Sequence, residues 1–259
     1  MSLLLRLKPA ADAAFKHLLL SLLMAGVVAA LVFGIWYPGP YGELAGGQNL
    51  FLLIVAVDVV CGPLLTLVIY NSNKPRAELV RDIGLVALIQ LTALGYGLDS
   101  LAQARPVWLA FEKDLFRVVS VPDLIPGSLA QAPQELQALS FSGPKILGVR
   151  IAESSDPDFF QNVQLSMAGY HPAFRPERWI PYTEQADQAA KVAHPLAELQ
   201  SRHAKQTHLI DEEVRRSGRE AATLGYLPLA TEHPVNWVVL LDRRSGEPVG
   251  YLPLDGWKD

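Results

Sequence analysis

The stretch Leu50 to Tyr70, LFLLIVAVDVVCGPLLTLVIY, holds one ionisable group, Asp58, near its middle. As a helix it rises about 30 Å, the thickness of a bilayer's hydrocarbon core, so the sequence predicts a transmembrane span. A carboxylate at that depth costs roughly 2.5–3.5 kcal/mol on insertion scales, so Asp58 is expected to face protein rather than lipid. A 3.6-residue period puts Cys61, Gly62 and Thr66 on the side of Asp58, a small and polar stripe where another helix can dock. Pro63, beside Gly62, removes a backbone hydrogen bond and is expected to bend the helix and free a carbonyl there.

Two further apolar runs flank this one. Phe15 to Trp36 exceeds the 7–15 residues of a usual signal-peptide core, and no A-x-A site closes it, so it is read as an uncleaved first span. In it Gly26, Ala30 and Gly34 recur every fourth residue, a spacing that lets a helix backbone come close. The bland expectation is packing inside the chain's own bundle. A third span is expected over Asp82 to Leu98, carrying Gln90, Thr92 and the pair Ala93 and Gly97. Counting about 1.5 Å per residue puts Asp58 and Gln90 at similar depths, which makes Gln90 a plausible hydrogen-bond partner. No basic residue of the spans is expected to serve Asp58. That leaves a protonated acid, a local water, or a positive group brought by another protein.

Charge decides the layout. Before residue 99 there are six basic residues (Arg6, Lys8, Lys16, Lys74, Arg76, Arg81) and five acidic ones, leaving 16 basic and 21 acidic in the remainder. The basic residues lie at the amino terminus and in the connector 71–81, not in the connector 37–49, so the positive-inside rule puts the amino terminus in the cytoplasm. The expectation is a cytoplasmic tail over 1–14, a membrane region over 15–98 with spans at 15–36, 50–70 and 82–98, and an extracytoplasmic domain over 99–259.

That domain switches to short strands. Residues 106–121 predict a hairpin turning at Glu112 to Asp114, and a third strand is expected at Ile146 to Ala152. Helical periodicity follows at Pro157 to Met167, at Glu184 to Lys205 with Pro195 as a break, and at Leu209 to Ala222. Strands at Leu224 to Ala230, Asn236 to Asp242 and Val249 to Leu254 end the chain, the last two joined by a turn at Arg243 to Glu247. The fold class is thus a membrane protein: three transmembrane α-helices, then an α+β domain with an antiparallel sheet and helices on one face.

Several chemistries find no footing. The domain is acidic and shows no Lys/Arg face, against nucleic-acid binding. There is no P-loop or dinucleotide turn, and no cofactor is expected. His203, His208, Asp211 and Glu212 are close in sequence, but the two histidines are five apart and point to different helix faces, so a solvated helix junction is favoured over a metal site. No serine sits in a nucleophile elbow. The lone cysteine, Cys61, lies in the membrane and leaves the soluble part without a disulfide.

The turn YPGPYGELAGG (Tyr37 to Gly47), the span VDVVCGPLLTLVIY (Val57 to Tyr70), LVALIQLTALGYGL (Leu85 to Leu98) and RPVWLAFEKDLFRVV (Arg105 to Val119) together resemble the type IV pilin accessory proteins of the TfpX/TfpZ kind. The resemblance covers roughly residues 15–121, with a cysteine at position 61 where an aliphatic residue is expected. It implies a non-enzymatic bacterial inner-membrane protein with a periplasmic domain, chaperone-like, whose partners are a cognate type IV major pilin, the lipid bilayer and other inner-membrane components of pilus assembly. On this view Asp58, Cys61, Gly62, Pro63, Thr66 and Gln90, with Gly26, Ala30 and Gly34, form a groove for the pilin helix, while the domain contacts the pilin head. The rival readings are an extracytoplasmic sensor, weakened by the absence of an output domain on the inner side, and a membrane-anchored enzyme supported only by the size of the soluble part.

Overall fold

The structure is a computed structural model that describes residues 3–72 and 74–257. Met1, Ser2, Asn73 of the connector 71–81, and the last two residues lie outside them, as does the side chain of Arg6, one of the cations in the orientation argument. The chain divides into two compact units, Met1–Arg105 and Pro106–Asp259. The junction falls seven residues beyond the expected 98/99 boundary because the third long helix continues through Ala104.

In the first unit α1 (Leu3–Leu31) runs on into a π-helical turn, Val32–Trp36. A short α2 (Tyr41–Leu44) leads to α3 (Gly47–Ala56). A second π-helical turn, Val57–Cys61, joins α3 to α4 (Gly62–Ile69), and α5 spans Arg76–Ala104. Three helical stretches, Leu7–Trp36, Gly47–Ile69 and Arg76–Ala104, are long and apolar enough to cross a membrane. They outrun the expected spans because their polar ends stay helical. On α1 the buried residues Ala14, Ser21, Val28 and Val32 recur at helical spacing, while Leu20, Leu23 and Val27 face outward, as lipid contact requires.

Val28, Val32, Trp36, Tyr37, Phe51 and Leu101 form the core at one end of this unit. The Tyr37 hydroxyl donates to the carbonyl of Leu101 at 2.9 Å, tying the end of the first span to the third. Burial pushes its phenol up to about 12, which keeps it a neutral donor. The ring sits where Gly47 has no side chain: a Cβ there would lie 2.5 Å from two ring atoms.

The second unit is built on β1 (Pro106–Glu112), β2 (Leu115–Ser120), β3 (Lys145–Val149), α6 (Phe159–Met167), β4 (Trp179–Ile180), α7 (Ala186–Val192), β5 (His194–Pro195), α8 (Leu196–Arg202), α9 (Thr207–Ser217), β6 (Leu224–Ala230), β7 (Trp237–Asp242) and β8 (Pro248–Leu252). The sheet order is β4-β3-β1-β2-β6-β7-β8, with β5 branching onto β6. Lys113, in the left-handed region at φ 65°, makes the tight β1–β2 turn the sequence predicts.

Three expectations need correction. The sheet is mixed rather than antiparallel: five of the pairings among the described residues are antiparallel, but β1 runs parallel to β3 and β2 to β6. The long connections after β2 and after β4 carry the chain back across the sheet, which is what parallel neighbours require. Nor are helices confined to one face of an otherwise bare sheet. Six consecutive residues of β1 and of β6 are buried, so both faces are covered at the centre. By register Trp108, Leu147, Tyr226 and Leu240 share one face, where the segments around Leu124, Leu129 and Leu136 pack at one side and α8 and α9 at the other. The opposite face presents Phe111 and Phe116 to Tyr182, just before α7. Finally, the helix expected over Leu209 to Ala222 ends at Ser217, because Gly218 takes the left-handed conformation at φ 66°. The break at Pro195 is present, and His194–Pro195 becomes a strand paired with β6.

Candidate partner-binding cleft among the membrane helices

Pro63 explains the shape of the second span. In a π-helical turn a carbonyl bonds to the N–H five residues on, and the residue five beyond Asp58 is Pro63, which has none to offer. The Asp58 carbonyl is met instead by α5: Gln90 Nε2 donates to it at 3.1 Å and also to the Asp58 carboxylate Oδ1 at 3.1 Å. Depth alone places these two residues together, and the structure joins them twice.

The same π-helical turn corrects the helical wheel. Widening to about 4.4 residues per turn carries Cys61 off the Asp58 face and swings Gly62 and Thr66 onto it. Cys61 is accordingly exposed, whereas Gly62 and Thr66 are buried. Pro63 is half-buried and acts through the backbone. Gly62 is where Gln90 passes: a Cβ on it would stand 2.1 Å from Gln90 Nε2.

Sequence reasoning misses the first helix's contribution. His17 of α1 lies in the first span, and its Nδ1 is 2.6 Å from the hydroxyl oxygen of buried Thr66. His17, Ser21 and Met24 line one cleft with Asp58, Gln90 and Leu91, a space of about 150 Å³. An imidazole thus lines the cleft that holds Asp58, with its own hydrogen bond going to Thr66. A signal exists in the sequence: His17 and Ser21 are a polar pair four residues apart on a span that otherwise buries small and apolar groups.

Gly26, Ala30 and Gly34 are not brought into this cleft. They lie about 140–220° around α1 from Ser21 and are exposed, so they do not pack inside the chain's own bundle. Neither Gly26 nor Gly34 has a neighbour within 4 Å of where a Cβ would stand. The stripes on α1 and on the second span therefore face different directions and cannot form one groove.

Polar satisfaction in the cleft is incomplete. Gln90 Oε1 is buried and, among the described residues, accepts no hydrogen bond. Asp58 is half-buried with a neutral amide as its hydrogen-bond donor. The cleft thus presents two acceptors at membrane depth, the Asp58 carboxylate and Gln90 Oε1. In the second unit, His203, weighed above as a metal ligand, has Nε2 2.9 Å from the carbonyl of Asp255. Among the described residues no group of three or more His, Cys, Asp or Glu is placed to hold a metal ion.

Comparison with known proteins bears on what the cleft serves. The family model described as fimbrial assembly protein FimB matches residues 5–46. Two proteins of Dichelobacter nodosus, the fimbrial assembly proteins of serogroup I and of serogroup E1, are each 34% identical over 228 residues, covering 88% of this chain and 88% of the relative. The fimbrial assembly protein of serogroups C1 and C2 from the same organism is 44% identical over 116 residues, 45% of this chain and 88% of its own length. No solved structure matches the chain.

Proposed function

The chain belongs to the fimbrial assembly protein family, and on that basis we propose that it is a non-enzymatic accessory protein that binds a cognate type IV major pilin in the bacterial inner membrane and promotes its assembly or display. This is the role implied by the resemblance to the TfpX/TfpZ kind. In this reading the amino terminus is cytoplasmic, as the charge distribution favours, and the α+β unit is periplasmic and contacts the pilin head.

The observation that carries the proposal is the pair of acceptors at the cleft, the Asp58 carboxylate and the unsatisfied Gln90 Oε1. A pilin awaiting assembly presents an apolar helix in the membrane, and its processed amino end is a cation rich in N–H donors. Such an end, laid along exposed Leu20 and Leu91, supplies what both acceptors lack. Cys61 faces away and takes no part. Gly26, Ala30 and Gly34 form a separate outward face of α1, open to a second helix of the assembly apparatus.

Photocrosslinkers at Leu20 and Leu91 of the full-length protein, in cells making the pilin, test this. The expected result is adducts with the pilin's membrane helix, and copurification of pilin in detergent. Copurification with adducts confined to the soluble unit would reject the cleft, and absence of both would reject pilin binding.

A further inference from the structure

A second cleft lies wholly within the soluble unit. It encloses about 360 Å³ beside α6 and is lined by Ile151, Phe159, Asn162, Val163, Met167 and Arg175 among others. Its outer edge is apolar and open to solvent: Met167 is 84% exposed, and Phe160 on the same helix is 81% exposed. Large side chains left bare on one helix mark a contact surface.

Its inner lining carries a charge. Arg175 is only 4% exposed, and the one hydrogen bond of its side chain among the described residues goes to the neutral Asn162 side-chain oxygen. Its Nε is buried without a partner. The other buried arginines are neutralised: Arg178 pairs with Asp158 at 2.7 Å and Arg117 with Glu112 at 2.9 Å. Arg175 is therefore a guanidinium held under an apolar cleft and, among the described residues, in no ion pair, the nearest carboxylates acting on it only at longer range. An incoming anion gains from a dry, preformed donor.

We propose that this cleft binds a segment of the pilin's globular head in which a carboxylate flanks a large apolar side chain, the carboxylate reaching Arg175 and the side chain packing on Val163 and Met167. The proposal rests on the preceding reading only for the identity of the protein that carries the segment. A protein segment fits better than a lipid surface, because the guanidinium lies beneath the apolar edge rather than on a basic exposed face.

The test uses the full-length protein in cells making the pilin, with a photocrosslinker at Phe160 and a control at Arg244, in the turn between β7 and β8. Pilin adducts at Phe160 are expected about tenfold above those at Arg244. With the crosslinker kept at Phe160, Met167→Glu is expected to lower the yield about tenfold by repelling the carboxylate, and Met167→Lys to lower it far less. Met167 is so exposed that both variants should melt like the parent, and this is checked. Equal losses from the two variants would overturn the anionic occupant. Lipid adducts in place of protein would overturn the protein occupant. Pilin copurification without adducts at Phe160 would overturn the cleft while leaving pilin binding intact, whereas absence of pilin from both assays would remove the pilin as occupant together with the reading it rests on.

Discussion

A Cβ on Gly62 would occupy the position of the Gln90 amide, 2.1 Å from its Nε2, so the smallest residue of the second span is what lets the third span reach Asp58. The displaced group is the far end of a flexible side chain, so Gly62→Ala should break the Asp58–Gln90 contact without unfolding the bundle. The expected loss is about 1 kcal/mol, the net worth of such a hydrogen bond. In a Gln90→Ala background the same change should cost much less. Thermal unfolding in detergent across the double-mutant cycle measures the difference, and additive losses would contradict the contact.

Replacing Asp58 separates charge from shape. Asp58→Asn keeps an acceptor for Gln90 but removes the attraction for a cationic amino end, and Asp58→Leu removes both. Surface pili should fall in the order parent, Asn, Leu, with about a tenfold loss for Leu if the carboxylate contributes what a charge-assisted hydrogen bond typically does. Both variants should still insert, since removing a membrane carboxylate relieves a cost. Normal pili from Asp58→Leu would show that the acid serves packing alone.

Gly47→Ala should damage the first unit more than Gly62→Ala. The obstructing group is the ring of Tyr37, which is fully buried and anchored through its hydroxyl to Leu101. It cannot swing aside as the Gln90 amide can. A destabilisation of about 1–3 kcal/mol, typical of overpacking, is expected in detergent unfolding. A loss no larger than that from Gly62→Ala would count against this packing.

His171 gives the soluble unit a pH response. Burial first, and then the nearby Arg117, hold its imidazole below the usual 6.5; Glu112 and Glu232 oppose them, and Arg175 adds a smaller push downward. The unfolded chain therefore binds more protons than the folded one just below pH 6.5, so stability rises with pH there. Full stability is present above the unfolded value and is lost as the pH falls from it toward the lower folded value. The melting temperature should drop between about pH 7.5 and 5.5, and His171→Phe should flatten that slope. Asp158, held low by Asn162 and Arg178, titrates below this window.

The parts of the structure legible in the sequence are those set by local chemistry. Continuous apolar runs mark the three long helices, and the Glu112–Leu115 turn and the β6 and β7 strands follow from β-rich segments between polar breaks. Asp58 and Gln90 can be paired because depth in a membrane is nearly a linear function of residue number. Cys61 is misplaced by a 3.6-residue wheel, which takes no account of a π-helical turn, although Gly62–Pro63 is a sign of one. His17 escapes a search that counts only fixed cations, and the α9 terminus escapes one that follows helical charge order past Gly218. The parallel pairings of β1 with β3 and β2 with β6 depend on how distant segments meet, which no local pattern encodes.

The widened turn at Val57–Cys61 holds one residue more than an α-helix needs to turn as far, five steps of about 82° against four of about 100°. Losing Val59 or Val60 should therefore let the turn close to an ordinary α-helical one, with Gly62 and Thr66 keeping their direction relative to Phe51. Deleting a residue outside the turn, Leu64 for example, would instead rotate Thr66 by about 100° toward lipid. Length differences within the second span of fimbrial assembly relatives are thus expected to fall at this turn and to spare the regular helix on either side.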